Sequence, residues 1–203
     1  MTAHPGIVEL LGLAASVSLL SGWRLYLTVL ATGLAMHWGV LPLPDHLAAL
    51  KVLASPWVMG AAGFAAICEF LADKVPWIDS IWDTVHTVIR PLGGALLALA
   101  VVDPSDPATQ VVAFLLGGGG ALLAHGGKAG ARAVVNASPE PFSNLVLSAT
   151  EDVASAGLLW LAYAHPVAAG VIAVVLLGLA LVLLIWAARV LKRWFGRRDP
   201  NPE

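Results

Sequence analysis

Long runs of apolar residues divide the chain into six segments, separated by short stretches rich in proline and polar residues. A helix needs roughly 20 apolar residues to cross the hydrocarbon core of a membrane. The pattern therefore predicts six transmembrane helices, and the runs of alanine and leucine lack the alternation typical of a membrane β-barrel. The predicted spans are residues 7–39, 52–73, 80–102, 108–135, 143–163 and 167–190.

We therefore predict an all-α, polytopic helix bundle that forms one integral membrane domain over residues 1–203. Its core is residues 7–190, and a basic tail follows at 191–203. Hydrophobic residues make up 59% of the chain and charged residues 12%, about half the charge of a soluble domain. That composition excludes a soluble enzyme, and a net charge of −2 gives no basic field for nucleic acid. Cys68 is the single cysteine, which excludes an intramolecular disulfide.

The distribution of lysine and arginine predicts the orientation of the bundle. The C-terminal end carries Arg189, Lys192, Arg193, Arg197 and Arg198, whereas the loops on the opposite side hold only Lys51. Basic residues are enriched in cytoplasmic loops, so we expect a cytoplasmic C-terminus. An even number of crossings then places the N-terminus in the cytoplasm as well. Reporter fusions after Glu203 and within 103–107 test this orientation.

The first apolar segment is longer than one straight crossing requires, and Ser21-Gly22 lies near its middle. Glycine and serine are sites where membrane helices bend or break. Two interpretations remain open at this stage. The segment is either a tilted, kinked helix, or a short re-entrant half-helix over 7–20 followed by a true span over 23–39.

Charged and polar residues concentrate around two turns, between the second and third spans and between the fourth and fifth. In both, they recur every three or four residues, which puts them on one face of each helix. Charges near a helix centre cost about 2.5–3.5 kcal/mol each on insertion scales, so these side chains should face one another or water. We expect a polar funnel in the cytoplasmic half of the bundle. Its basic members are Arg24, Lys74, Arg90, Lys128 and Arg132.

An excess of carboxylates over bases favours a cation in this funnel, so the first hypothesis is a transporter or channel for a small cation, divalent or proton-coupled. Carboxylate oxygens suit Mg²⁺ or Ca²⁺, and a histidine extends the choice to transition metals. No other cofactor is expected. The candidate metal ligands are Glu69, Asp73, Asp79, Asp83, His125, Glu140, Glu151 and Asp152.

Three alternatives stay open. A break at Ser21-Gly22 would point a helix N-terminus towards the membrane centre beside Arg24, which favours an anionic substrate or lipid head group near Arg24, Lys128 and Arg132. Arg90 is the fourth candidate for an anion or an ion pair. The charges could instead brace a non-transporting scaffold or accessory subunit. We expect no enzyme, although Glu151 or Asp152 with His125 would be its candidate groups. The expected partners are the lipid bilayer and a small ion or solute; the sequence does not distinguish a monomer from a homo-oligomer.

Two sequence blocks resemble a known bacterial family. The first runs from Glu69 through Asp73-Lys74-Val-Pro76 to Asp83 and on to Pro91, and the second from His125-Gly-Gly-Lys128 to Pro141. With Ser21-Gly22 and Tyr26-Leu27, they are similar to the proteins grouped as domain of unknown function 4126, over roughly residues 10–165. The resemblance implies a multi-pass protein of the bacterial inner membrane and implies no activity. In that family we expect the position of Arg24 to be uncharged more often.

Overall fold

The computed structural model describes residues 7–39, 51–102, 106–136 and 142–195. Within these ranges the chain forms six α-helices and no strand, with a short 3₁₀ turn over 51–54. The predicted all-helical bundle and its six segments are confirmed. The helices are α1 (Ile7–His37), α2 (Pro56–Ala72), α3 (Pro76–Val101), α4 (Pro107–Asn136), α5 (Phe142–Ala164) and α6 (Pro166–Phe195).

Proline marks the start of four of these helices, at Pro56, Pro76, Pro107 and Pro166. Proline has the φ angle of a helix and lacks the N–H that the first turn would leave unpaired, so it suits this position. Asp106 precedes Pro107 and accepts hydrogen bonds from the Ala108 N–H and the Thr109 hydroxyl. These bonds favour the ionised carboxylate and lower the pKa of Asp106, which lies outside the membrane-spanning part of α4.

Four helical stretches in the described chain are long and apolar enough to cross a membrane: Leu11–His37, Pro107–Val135, Leu145–Ala164 and Pro166–Trp194. Helix α2 is apolar but only 17 residues long, and α3 carries Asp79, Asp83 and Arg90. Large apolar side chains are exposed along α6, as on a surface that faces lipid. The chain is a membrane-helical protein.

Helix α1 reverses direction in its middle. Arg24 has non-helical backbone angles (φ −143°, ψ 68°). Gly12, before the break, packs against Pro166, and the Thr32 hydroxyl, after it, bonds to the hydroxyl of Tyr163 in the same α5–α6 turn. In a straight helix Gly12 and Thr32 would lie about 30 Å apart. Helix α1 is therefore a V whose two limbs, 7–23 and 25–37, approach the same end of the bundle.

The V changes the predicted topology. Its limbs are about 25 Å and 20 Å long, so neither crosses a hydrocarbon core of about 30 Å. The V contains the short half-helix of the re-entrant alternative, but its second limb is too short for the true span which that alternative places over 23–39. The break lies at Arg24 rather than at Ser21-Gly22. The described N-terminal end of α1 lies at the Pro166 end of the bundle, whereas α6 finishes at the other end. The prediction that both termini lie in the cytoplasm counted α1 as one crossing, so the V removes that basis for the N-terminus. The orientation of the termini stays a prediction.

The two limbs pack differently. The N-terminal limb approaches α6 and α4 closely: Gly12 lies against the backbone at Gly170, and Gly22 lies against Ala121 and Ala124. Gly127 brings α4 equally close to Ala180 of α6. Small residues allow this close approach of membrane helices. The C-terminal limb packs instead against α2 and α5, with apolar grooves on both sides.

Candidate functional site: a buried ionic cluster at the apex of α1

Basic side chains from α3 and α4 hydrogen-bond to the backbone where α1 breaks. Arg90 donates to the Gly22 carbonyl (Nη1 to O, 3.0 Å), and Lys128 donates to the Trp23 carbonyl (Nζ to O, 3.2 Å). The Arg24 carbonyl accepts from the Thr28 hydroxyl at 2.8 Å. Carbonyls at the C-terminal end of a helix carry partial negative charge and lack helical partners. The two cations therefore stabilise the break.

Asp73 lies at the centre of the cluster, in the turn between α2 and α3, and is fully buried. Its Oδ2 contacts the guanidinium of Arg24, lies 3.7 Å from Lys128 Nζ and lies 3.4 Å from Arg132 Nη2. Three bases from two helices thus converge on one carboxylate oxygen. Arg24, Lys128 and Arg132 are the residues that the anion hypothesis named, and here a carboxylate of the chain itself lies between them.

Arg90 organises one side of the cluster. Its Nη2 donates to Glu69 Oε1 at 2.6 Å, and its Nη1 lies 3.6 Å from Asp83 Oδ1. Nη1 also lies 2.9 Å from His125 Nδ1. Because a guanidinium only donates, this ring nitrogen must accept, and the other nitrogen carries the proton. Nε2 of His125 accordingly donates to the Asp83 carbonyl at 3.0 Å.

Arg132 organises the other side. It pairs with the buried Asp79 of α3 and, at 2.5 Å, with Glu151 Oε2 of α5. Asp152 lies 2.6 Å from Arg24 and 3.5 Å from Lys74, whose Nζ also bonds to the Ser148 hydroxyl. The α5 carboxylates therefore join the same network as those of α2 and α3.

The structure brings together nearly every residue that the sequence nominated. All four candidates for an anion or ion-pair site and seven of the eight candidate metal ligands lie in or beside the cluster. Glu140 lies outside the described residues. The carboxylates face bases rather than one another. Within the described ranges, no group of three or more His, Cys, Asp or Glu side chains is arranged to hold a metal ion. The divalent-metal hypothesis stays a prediction, and this geometry gives it no ligand group.

The cluster contains one more carboxylate than bases. Its described ionic members are six carboxylates and five bases, which leaves one excess negative charge when both histidines are neutral. The carboxylates are Glu69, Asp73, Asp79, Asp83, Glu151 and Asp152; the bases are Arg24, Lys74, Arg90, Lys128 and Arg132. Four of these carboxylates and four of the bases are buried, so the surplus lies with the partly exposed Glu151, Asp152 and Lys74.

Sequence reasoning missed a polar contact at the edge of the cluster. The Tyr26 hydroxyl donates to His86 Nε2 at 2.9 Å, because His86 Nδ1 donates to the Trp82 carbonyl at 2.7 Å. The His86 ring stacks on Trp82, with centroids 4.4 Å apart. The i, i+4 spacing of Trp82, His86 and Arg90 was a signal for one shared face, but nothing in the sequence named Tyr26 as their partner.

Two cavities approach the cluster from different directions. A polar cleft of about 220 Å³ lies between α3 and α4, lined by Asp79, Asp83, Thr87 and Arg132 among others. Thr87 Oγ1 lies 3.2 Å from His125 Nε2, so the cleft extends to the hydrogen bonds around Arg90. An apolar groove of about 920 Å³ lies between α2 and α3 and includes Tyr26 in its lining. The cluster thus lies between a polar cavity and an apolar one.

The family follows from a match along most of the chain. The model of the domain of unknown function DUF4126 matches residues 11–186. The chain belongs to this family. The match extends from the N-terminal limb of α1 into α6, and so contains every residue of the cluster, as the resemblance of the two blocks predicted. No curated protein and no solved structure matches the chain.

Proposed function

We propose that this family member is a proton-coupled transporter for a small cation, with the ionic cluster as its ion site. The observation that carries the proposal is the buried Glu69 oxygen that no described donor reaches, in an ionic cluster around a broken helix. One proton or one monovalent cation would satisfy this oxygen. Broken helices and buried ionisable residues recur at the ion sites of membrane transporters.

Glu69 is the candidate that carries the proton. Its side chain is 1% exposed, and only its Oε1 is engaged, by Arg90. No hydrogen-bond donor among the described residues reaches Oε2. A buried carboxylate oxygen without a donor costs free energy that protonation or a bound cation would recover.

The ion pairs link two groups of helices, and a change in their charge would allow a conformational change. Arg90, Lys128 and Arg132 lie on α3 and α4, whereas four of the carboxylates lie at the end of α2 and on α5. Neutralising a carboxylate would weaken the attraction between the groups. The C-terminal limb of α1, flanked by two grooves, could then move about Arg24 while the N-terminal limb stays packed on α4 and α6.

A flux experiment tests the proposal. Purified protein is reconstituted into liposomes that contain a pH-sensitive dye and an acidic lumen, and Na⁺, K⁺, Mg²⁺ or Mn²⁺ is added outside. We expect the luminal pH to rise when a transported cation exchanges for protons. Glu69→Gln should abolish the rise because an amide cannot carry the proton.

Glu9→Gln is the matched control, since it makes the same chemical change at an exposed position in the first turn of α1. It should exchange protons as the wild-type protein does. The proposal fails if wild-type liposomes match protein-free liposomes for every cation, or if Glu69→Gln exchanges normally. A response to Mg²⁺ or Mn²⁺ alone would support the divalent version.

One observation favours a second candidate, a carrier of an anionic substrate. Arg24, Lys128 and Arg132 converge on Asp73, so an incoming carboxylate or phosphate could replace that side chain. Asp73→Asn would then raise the affinity for phosphate, because the built-in competitor loses its charge. Under the proton-coupled proposal, the same variant should gain no phosphate binding.

We also propose a location in the bacterial inner membrane with the C-terminal end of α6 in the cytoplasm. Lys192 and Arg193 in the last turn of α6 support this orientation through the enrichment of basic residues on that side. The V of α1 then directs both of its limbs outwards, and the ionic cluster lies in the cytoplasmic half.

A further inference from the structure

The apolar groove between α2 and α3 has a defined shape. The C-terminal limb of α1 forms its floor with Leu25, Tyr26 and Val29, and its volume is about 920 Å³. Ala61 and Ala65 line the α2 wall, and their small side chains leave the two walls apart. Trp57, at 88% exposure, stands at one end. From Trp57 to Ala65 the wall is about 12 Å long, enough for a medium-length alkyl chain.

Both walls lead to the ion pair between Glu69 and Arg90. On α2, Ala61, Ala65 and Glu69 are spaced four residues apart and therefore follow one another along one face. On α3, Gly93 lines the groove one turn after Arg90. The apolar groove therefore ends about one helical turn from a buried carboxylate.

One oxygen of the carboxylate beyond this end of the groove can accept a hydrogen bond. Glu69 Oε2 has no donor among the described residues. A neutral donor would satisfy that oxygen with an ordinary hydrogen bond. An ammonium group would satisfy it with a charge-assisted hydrogen bond, which is the stronger of the two.

We propose that the groove binds an amphiphilic cation, with its apolar body between α2 and α3 and its ammonium group at Glu69 Oε2. The exchange of this cation for a proton rests on the proposed transport function, whereas its binding does not. Arg90, Lys128 and Arg24 attract the Glu69 carboxylate, and Asp73 repels it. Tyr26 lines the groove and bonds to His86. Protonation of Glu69 removes the charge that holds the ammonium group, so acidification should weaken binding.

Three probes that share the same alkyl chain length and differ in their head group separate the contribution of the apolar chain to binding from that of the head group. Decylammonium, decanol and decanoate are titrated against the protein in lipid nanodiscs, without a gradient, and binding is measured by equilibrium dialysis against protein-free nanodiscs. Wild-type protein should bind decylammonium about tenfold more tightly than decanol, as expected for a charge-assisted hydrogen bond. Decanoate should bind weakest.

Two variants assign the binding to this groove. Glu69→Gln should lose the preference for decylammonium over decanol while it still binds both chains. Ala65→Phe fills the groove and should weaken all three probes. Ala61→Phe, at a more exposed position of the same wall, replaces it if Ala65→Phe does not fold. Ala156→Phe fills the separate groove between α1 and α5 and should bind as the wild-type protein does.

The inference is overturned if folded Glu69→Gln keeps the preference for decylammonium, or if neither filling variant weakens binding, because the probes would then enter only the bilayer. It is also overturned if the wild-type protein binds no probe beyond protein-free nanodiscs. Binding without any proton exchange in liposomes would refute the transport function and leave this site standing. Proton exchange with a metal cation but without amphiphile binding would refute this site and leave the transport function standing.

Discussion

Arg132 offers the sharpest test of whether the cluster is a closed ionic network. It contacts three carboxylates, Asp73, Asp79 and Glu151, and the first two are fully buried. Arg132→Met keeps much of the length and removes the charge. Asp79 would then lose its ion pair with Arg132, while Asp73 would keep Arg24 and Lys128.

Breaking a buried ion pair by removing one partner costs about 3–5 kcal/mol, because the remaining charge stays buried without compensation. We expect Arg132→Met to lower the free energy of unfolding by about that amount. The measurement is reversible unfolding in mixed micelles with increasing SDS, followed by circular dichroism. Asp79→Asn combined with Arg132→Met should cost less than the two single changes together, by about 1–3 kcal/mol, because the neutral amide no longer needs the arginine.

Arg193→Met is the matched control, because Arg193 is exposed in the last turn of α6. It should lower the free energy of unfolding by less than about 1 kcal/mol. If Arg132→Met costs no more than this control, water screens the cluster and the interpretation as a closed, buried ionic network is refuted.

Two further predictions concern the fold. The first uses a protein in which Cys68 is replaced by serine and single cysteines replace Val8, Trp38 or Arg193. A membrane-impermeant thiol reagent should label the cysteines at positions 8 and 38 from the same side, and the cysteine at position 193 from the opposite side. Labelling of positions 8 and 38 from opposite sides would contradict the V. Gly127→Val should destabilise the protein by about 1–3 kcal/mol in the same unfolding assay, because even a Cβ at that position would lie 2.8 Å from the Ala180 backbone. Gly119→Val is the control, since a Cβ there meets open space and should be tolerated; equal losses in both would show that helix propensity rather than packing is responsible.

Hydropathy predicted the helices well because each span has to satisfy the same apolar environment along its whole length. The predicted span 167–190 and the observed Pro166–Phe195 coincide for this reason. The first span was the exception. The sequence pointed to a break at Ser21-Gly22, yet Arg24 is the non-helical residue. The donors that satisfy the freed carbonyls are Arg90 and Lys128, which come from distant parts of the chain.

The members of the cluster were also predictable. Arg90, Lys128 and Glu151 are too costly to face lipid, so their burial towards other charges follows from composition and helical spacing. The pairing was not predictable. Helical spacing states which face a residue occupies, but it does not state which helix lies opposite, so Asp73 could not be assigned to its three bases.

The sequence by itself determined a helical membrane bundle, the membership of its charged cluster and the family, because each depends on composition and local spacing. Only the tertiary structure decided that α1 turns back at Arg24, and which bases the described carboxylates of the cluster pair with. Both outcomes depend on contacts between residues far apart in the chain. Gly12 meets Pro166, and Glu69 meets Arg90 at the end of an apolar groove, only after the helices have packed.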